Sequence, residues 1–315
     1  MTSASRVPED LIDLLVCPAC GGALALCQDP DRLGCEACGA RYPADAGIPI
    51  LLTPAPGGAG APRSSHKETQ ITFFDAEPAD DFGVTRPRGA PALHGWLLRE
   101  KFRRSVLGLE DLLPGSRALT VCGGSGLDAE FLARAGARVV LTDISLGVVR
   151  QAAERARRFG LDVALVVADA ENLPFRDGSV DITYVHDGLH HLEHPALALA
   201  EMARISRRAV SVSEPASAFA TSAAVRLGLA EHREEAGNVV RRLTLAEIVS
   251  ELAAQGFDPV APHRYAMHYR HWPGRPVRLL SRPGLLPLAT AGFLIANRLV
   301  GRFGNKLAVQ AIRVR

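Results

Sequence analysis

Residues 117–143 of the chain read RALTVCGGSGLDAEFLARAGARVVLTD. The apolar run at residues 118–122 predicts a buried strand that leads into a glycine-rich loop. A helical stretch follows and ends at Gly136, after which residues 138–142 predict a second strand ending at Asp143. In open α/β sheets, a strand, a glycine loop and a helix of this kind place a ligand at the carboxyl ends of the strands.

The same alternation continues further along the chain. Ser145 caps a predicted helix at residues 146–159, and residues 163–168 predict a third strand that ends at Asp169. Residues 181–185 predict a fourth strand. Alternating strands and helices predict an α/β fold with a parallel sheet that is covered on both faces.

The glycine loop and two acidic residues predict a nucleotide-like ligand. The loop lets a ligand approach the backbone, and the helix N-terminus behind it favours negative charge. Asp143 is placed to accept hydrogen bonds from ribose hydroxyls, and Asp169 to accept one from an exocyclic amino group. NAD-binding folds share the loop and the first acid. The addition of Asp169-Ala170 and of LPF at residues 173–175 is more specific.

These features resemble the class I S-adenosylmethionine-dependent methyltransferases. The resemblance covers residues 117–215, including DAENLPF at residues 169–175 and SVDITYVHDGLHHLEHP at residues 179–195. It implies a Rossmann-like sheet of seven strands whose last strand is antiparallel. It also implies S-adenosylmethionine as cofactor, with binding residues at Cys122, Gly123, Gly124, Gly126, Asp143, Ile144, Asp169, Ala170 and His186.

The resemblance assigns each part of the cofactor to part of this set. Gly124 and Gly126 are expected to line the methionine moiety, and Asp143 to bind the ribose. Asp169 and Ala170 are expected to hold the adenine, and His186 to border the cofactor at the end of the fourth strand.

Two residues depart from the family's first motif. Thr120 stands where an acidic residue is usual, and Cys122 stands where the first glycine is usual. Asp128 or an upstream residue is the candidate to replace the missing acid. Both downstream acids, Asp143 and Asp169, are retained, which favours a working methyltransferase.

Four of the six cysteines form two CxxC pairs separated by fourteen residues, at Cys17, Cys20, Cys35 and Cys38. Two residues between thiolates aim both sulfurs at one ion, and the glycines that follow each pair permit the tight turn. Four thiolates leave no open position, so the pattern predicts a structural zinc ion. Disulfides are the alternative, which a reducing cytosol disfavours.

The cysteines lie in a segment that resembles a known zinc ribbon. Residues 11–52, with short strands expected at residues 11–16 and 48–52, are similar to the small activator subunit of tRNA methyltransferases. Bacterial rRNA guanine methyltransferases carry similar ribbons. We predict three parts of the chain: a zinc ribbon at 1–52, a linker at 53–70, and a methyltransferase domain at 71–315 with a substrate lid at 217–243.

Composition and charge narrow the class of protein. The 315 residues are 47% hydrophobic, which excludes a collagen-like or largely disordered chain. Residues 259–315 contain nine arginines, one lysine and no acidic residue, although the whole chain carries a net charge of only +2. Such a tail attracts nucleic acid, a phosphorylated substrate or an acidic membrane face, or covers the acidic remainder of the protein.

No segment predicts a membrane span. Residues 1–10 lack the apolar core of a signal peptide. Residues 285–296 are apolar but too few to cross about 30 Å of hydrocarbon. We expect them to form a buried helix or strand, and the alternative is a position at an interface. We therefore expect a soluble, cytoplasmic protein.

Four histidines crowd one short segment, at His186, His190, His191 and His194. His190 lies four residues from both His186 and His194, a spacing that permits metal binding on a helix. Gly188 and Pro195 argue against a continuous helix here. We predict that His190 or His191 is a catalytic general base, since an ordinary imidazole pKa is about 6.5. The alternative is that these residues only shape the site, because methyl transfer can proceed from alignment alone.

The sequence thus predicts a methyltransferase that acts on a small-molecule or lipid-like metabolite by direct displacement. One alternative is rRNA or tRNA base methylation, favoured by the ribbon and the basic tail. Against it, His186-Asp187-Gly188-Leu189 stands where exocyclic-amine base methylases carry Asn/Asp-Pro-Pro-aromatic. A second alternative is a non-catalytic cofactor-binding or activator protein, which the retained acids disfavour.

Overall fold

The computed structural model describes residues 6–29, 31–53, 64–76, 80–216, 243–268 and 271–314. The N-terminal cysteines lie in a small unit whose elements are α1 (Glu9–Ile12), β1 (Leu24–Leu26), β2 (Arg32–Cys35), β3 (Arg41–Asp45) and β4 (Ile48–Leu51). The strand expected at residues 48–52 is therefore present. The strand expected at residues 11–16 is wrong, because helix α1 is followed only by isolated β-bridges at Leu15 and Val16.

The larger unit alternates helices and strands as predicted. Its first elements are α2 (Ser65–Ala76), α3 (Asp81–Thr85), α4 (Ala92–Ser105), β5 (Arg117–Val121), α5 (Leu127–Arg134), β6 (Arg138–Asp143), α6 (Leu146–Phe159) and β7 (Val163–Ala168). They continue with β8 (Val180–His186), α7 (Pro195–Ile205), β9 (Ser206–Pro215), α8 (Leu245–Ala254), β10 (Phe257–Pro259), β11 (His263–Tyr265), α9 (Arg275–Leu280), α10 (Leu286–Val300) and β12 (Lys306–Arg313).

One sheet runs through the described residues. The strands β7, β6, β5, β8 and β9 pair in parallel in that order, and β12 joins β9 antiparallel. Together with β10, which pairs antiparallel with β12, they form the Rossmann-like arrangement that the sequence predicts. The expected count of seven strands is wrong for the sheet as a whole, which contains twelve.

The extra strands come mainly from the ribbon. Strand β4 pairs in parallel with β7, with Ile50 opposite Val167 and Leu51 opposite Ala168. Leu51 and Leu15 of the ribbon are fully buried in the same core as Phe175 of the larger unit. Since β7 would otherwise be an exposed edge strand, the ribbon covers that edge and both units share one core.

The ribbon also holds the segment that follows β7. The amide of Val16 donates to the carbonyl of Pro174 at 3.0 Å, and the amide of Arg176 donates to the carbonyl of Leu14 at 2.9 Å. These bonds flank a β-bridge between Leu15 and Phe175. The loop at residues 169–176 is therefore fixed by the zinc ribbon on one side.

The structure describes only part of the predicted linker and of the predicted lid. Residues 65–70, within the predicted linker, form the first half of α2. Residues 54–63 of that linker, and all of the predicted lid except Leu243, lie outside the described residues.

The expectation that residues 285–296 are buried is wrong, because each of them is exposed or half-buried. They lie mostly in α10, which has no buried residue. Among the described residues, no helix has the length and apolar character needed to cross a bilayer.

Candidate active site

A cavity of about 320 Å³ lies at the carboxyl ends of the central strands, where the sequence places its ligand. Helix α2 forms one wall through His66, Lys67, Gln70 and Phe74. Six of the nine predicted cofactor residues line the cavity, namely Cys122, Gly124, Asp143, Ile144, Asp169 and Ala170. Gly123, Gly126 and His186 are not in its wall.

The glycines of the loop divide into two roles. A Cβ at Gly123 would lie 2.6 Å from Cγ of Leu141, and one at Gly126 would lie 3.0 Å from Cβ of Ala152. These two residues therefore let the loop pack on the sheet and on α6. At Gly124 a Cβ would meet nothing within 4 Å, so this residue leaves the backbone open toward the cavity.

Asp143 is held by the loop that it faces. Its Oδ2 accepts a hydrogen bond from the amide of Gly124 at 3.0 Å, and its Oδ1 accepts one from the amide of Ser145 at 3.1 Å. Burial raises the pKa of the Asp143 carboxyl. Each carboxylate oxygen has capacity for another hydrogen bond, which ribose hydroxyls on the cavity side can donate.

Asp169 is paired with a lysine that sequence reasoning missed. Nζ of Lys67 lies 2.6 Å from Oδ2 of Asp169 and 2.8 Å from Oε2 of Glu171. Burial alone would lower the pKa of Lys67, but the two carboxylates outweigh it and raise that pKa. Lys67 falls within the predicted linker, and no local motif marks it.

Helix α2 is tied to the rest of the cavity at both ends. Nε2 of His66 donates to the carbonyl of His191 at 2.7 Å. At the other end, Oδ1 of Asp75 accepts hydrogen bonds from Oγ of Ser145 at 2.6 Å and from the amide of Gly147 at 2.8 Å. Asp75 therefore caps the first turn of α6 beside Asp143.

The two histidines predicted to be catalytic occupy different places. His191 lines the cavity. His190 is buried behind it, with Nδ1 2.8 Å from Oε2 of Glu214. Oε1 of Glu214 also accepts from the amides of Gly188 and Leu189, so this carboxylate organises the whole turn.

His186 lies beneath the cavity. Its Nδ1 is 3.2 Å from the hydroxyl of Tyr184, and its Nε2 is 3.7 Å from Oδ2 of Asp187. Burial, followed by the charge of Lys101, lowers the pKa of His186 well below its ordinary value. The imidazole is therefore neutral near neutral pH.

Asp187 adds a charged group to the wall that the sequence reading did not select. Its φ is +53°, an uncommon backbone conformation for a residue with a side chain. Nζ of Lys306 lies 2.6 Å from its Oδ1, and Nζ of Lys101 lies 3.5 Å from its Oδ2. Burial would raise the pKa of Asp187, but the two lysines hold it well below its ordinary value.

Arg155 holds the cavity rim together from inside the protein. Its Nε donates to the carbonyl of Ser125 at 2.9 Å, and its Nη2 donates to the carbonyl of Gly83 at 2.7 Å. Its Nη1 lies 2.9 Å from Oε2 of Glu130, and both side chains are almost fully buried. Asp128, the candidate to replace the missing acid, lies outside the wall and accepts from the hydroxyl of Tyr184.

The four cysteines converge as their spacing predicts. All four Sγ atoms lie within 4.8 Å of one another, including 3.7 Å for Cys17–Cys38 and 3.5 Å for Cys20–Cys35. Tetrahedral zinc with Zn–S bonds of about 2.3 Å requires sulfurs about 3.8 Å apart, so the cluster fits this ion. A Cβ at Gly22 would lie 3.1 Å from Sγ of Cys35 and crowd the cluster.

Comparison with known families agrees with this geometry. Residues 119–212 match the methyltransferase domain family, and residues 9–46 match the Trm112p-like protein family. The chain contains a methyltransferase domain. A Trm112p-like unit carrying the four-cysteine cluster precedes that domain.

Two curated relatives match about a third of the chain. The demethylmenaquinone methyltransferase of Corynebacterium urealyticum is 37% identical over 111 residues, which are 35% of this chain and 44% of that protein. The ubiquinone/menaquinone biosynthesis C-methyltransferase of Bordetella avium is 38% identical over 111 residues, with coverage of 34% and 43%. The chain spans less than half the length of these relatives.

Solved structures share the fold of the methyltransferase domain. The magnesium protoporphyrin IX methyltransferase of Synechocystis PCC 6803, solved with bound SAH, has a TM-score of 0.54 at 17% identity and covers 79% of this chain and 100% of its own. The 1,6-didemethyltoxoflavin-N1-methyltransferase of Burkholderia thailandensis has a TM-score of 0.50 at 17% identity, with coverage of 82% and 94%.

Proposed function

We propose that this protein transfers a methyl group from S-adenosylmethionine to a small or lipid-like acceptor. One observation carries the proposal: a single cavity at the carboxyl ends of the parallel strands gathers the glycine loop and both acids that end strands. The residues fit the cofactor, because the backbone is open at Gly124 and the Asp143 carboxylate has capacity for the ribose.

The chain's own residues would bind and orient the reactants. The loop from Cys122 to Gly126 would hold the methionine part, Asp143 the ribose, and Asp169 with Ala170 and Ile144 the adenine side. His186 would support this wall from beneath as a neutral group. When bound, S-adenosylmethionine supplies the electrophilic methyl group for direct displacement.

The acceptor side of the cavity combines apolar and charged groups. Phe74 and Leu192 are apolar, whereas Asp187 is an ionised carboxylate held by two lysines. Asp187 is too weak a base to remove a proton, so its role would be to accept a hydrogen bond from the acceptor. His191 would take the proton that the acceptor loses, and His190 with Glu214 would position the turn that carries it.

The relatives support the acceptor class. Their names assign them to demethylmenaquinone and to ubiquinone/menaquinone biosynthesis, so a lipid-like aromatic acceptor is the class that we propose here. We also propose that the four cysteines hold a structural zinc ion, and that the protein is cytoplasmic, where thiols stay reduced.

Calorimetric titration of the zinc-loaded protein with S-adenosylmethionine tests the proposal. We expect micromolar binding that falls about tenfold to a hundredfold in Asp143→Ala, since hydrogen bonds to a charged group contribute about 1.5–3 kcal/mol. The exposed acid Asp162 provides a matched control, and Asp162→Ala should bind normally. Absence of binding to the intact protein would contradict the proposal. Transfer of labelled methyl to quinone precursors rather than to tRNA or rRNA then tests the acceptor class.

A further inference from the structure

The outward stripe of α10 is apolar. Leu288, Ile295 and Leu299, which fall on one face of the helix at spacings of seven and four, are 70%, 59% and 70% exposed. The opposite face binds the protein: Phe293 packs edge-to-face on Trp96, and Asn297 exchanges hydrogen bonds with the backbone of Ala266. A surface helix ordinarily presents polar residues to water, so this stripe points to a partner.

Further exposed apolar residues occur in the same C-terminal segment and, with this stripe, define what we call the C-terminal apolar face: Trp272, Leu279, Leu280, Leu288, Leu294, Ile295, Leu299, Val300 and Phe303. The same segment carries five exposed arginines, at Arg275, Arg278, Arg282, Arg298 and Arg302. No acidic residue occurs anywhere after Asp258. The partner must therefore be both apolar and negatively charged.

We infer that the C-terminal apolar face binds the surface of an anionic phospholipid bilayer. An anionic bilayer offers a layer of phosphate for the arginines and acyl chains for the leucines, isoleucine and aromatic rings. With 15 residues, α10 is about 22 Å long and too short to span about 30 Å of hydrocarbon, so it lies in the plane of the interface.

Part of the C-terminal apolar face adjoins the cavity wall. His271 lines the cavity, and the next residue, Trp272, is exposed and stacks on Phe82 with ring centroids 4.8 Å apart. Gly83, which follows Phe82, is also in the cavity wall. Binding at the membrane would bring a lipid-like acceptor to the cavity without its passage through water.

Flotation with vesicles tests the inference independently of methyl transfer. We expect the zinc-loaded protein to float with vesicles of equal parts phosphatidylglycerol and phosphatidylcholine, and not with phosphatidylcholine alone. Arg282→Gln/Arg298→Gln/Arg302→Gln should weaken binding about a hundredfold, at about fivefold for each arginine near an anionic surface. Leu288→Asp/Ile295→Asp/Leu299→Asp should weaken it at least about tenfold, because the apolar contacts are lost.

Leu197→Asp is the matched control, because Leu197 on α7 is 52% exposed but lies outside the C-terminal segment. This variant should float with the anionic vesicles as the wild-type protein does. Unchanged affinity for S-adenosylmethionine in every variant shows that each is folded. Failure of the wild-type protein to float with anionic vesicles overturns the inference. A second result would also overturn the inference: the wild-type protein forms a dimer in lipid-free solution, the triple aspartate variant is a monomer, and vesicle binding is absent. A second copy of the chain would then cover this face.

Discussion

Nζ of Lys67 lies 2.6 Å from Oδ2 of Asp169, so the helix over the cavity is tied by an ion pair to the loop that we expect to hold adenine. Both side chains are more than four-fifths buried. Glu171 joins the pair at 2.8 Å, which gives one ammonium two carboxylates to neutralise. Helix α2 is therefore held down by charge at the point where the cofactor would be enclosed.

Replacing this lysine tests whether α2 retains the cofactor. Lys67→Met leaves two carboxylates without their cation, and we expect S-adenosylmethionine to dissociate about tenfold to a hundredfold faster, as for loss of a charged hydrogen bond. Stopped-flow displacement measures that rate. Lys67→Arg, which keeps the charge, is the control and should stay close to wild type. An unchanged rate in Lys67→Met would show that α2 does not retain the cofactor.

The zinc ribbon should control cofactor binding from a distance. Its residues Leu14 and Val16 bond to the loop at residues 169–176, and the zinc ion that we propose would supply the folding energy of so small a unit. We expect Cys35→Ser, or treatment with a chelator, to weaken S-adenosylmethionine binding by about tenfold or more, equivalent to about 1.4 kcal/mol of lost loop order. Calorimetry measures the affinity. Cys27→Ser is the control because Cys27 is not in the cluster, and equal effects of both substitutions would refute the mechanism.

Substitutions of the adjacent residues His190 and His191 should have different effects, one on stability and the other on catalysis. His191→Asn removes a group that lines the cavity, and we expect kcat to fall about a hundredfold or more with little change in Tm. His190→Asn removes the partner of buried Glu214, and we expect a lower Tm as its main effect. Steady-state kinetics gives kcat, and thermal unfolding gives Tm, for both variants. Full activity in His191→Asn would exclude it as the base.

Protonation of His186 should destabilise the fold. Burial depresses its pKa, so below about pH 6.5 the unfolded chain binds a proton that the folded protein excludes. The contribution of the neutral His186 imidazole to the free energy of unfolding is fully present above that pH. It is lost as the pH falls toward the folded pKa, at up to about 1.4 kcal/mol per pH unit. Urea unfolding of the wild type and His186→Gln between pH 7.5 and 5.5 measures this slope, and equal slopes would contradict the prediction.

Breaking the buried Arg155–Glu130 pair should be costly. We expect Arg155→Met to reduce the free energy of unfolding by about 3 kcal/mol, since the carbonyls of Gly83 and Ser125 each lose a donor as well. Urea denaturation measures the loss. Arg157→Met provides the control on the same helix, because Arg157 is exposed and its pairing with Glu154 is screened by water. Similar stability of the two variants would rule out this role.

Local patterns were enough to predict much of the site. The strand ends at Asp143 and Asp169, the glycine loop and the CxxC pairs are each contained in a few consecutive residues. Their structure depends mainly on neighbours in the sequence. The structure accordingly keeps Asp143, Gly124 and Asp169 in one cavity and brings the four sulfurs together.

The remaining features depend on contacts between distant residues. The pairing of β4 with β7 joins residues more than a hundred positions apart, as does the ion pair between Lys67 and Asp169. Sequence spacing could not show that His190 faces Glu214 whereas His191 faces the cavity. The sequence also could not show that the apolar residues 285–296 are left largely uncovered, because the burial of a helix depends on which other elements pack against it. The sequence by itself determined the fold class and the two candidate ligand-binding motifs, and only the tertiary structure decided how they are joined and which surfaces are left for a partner.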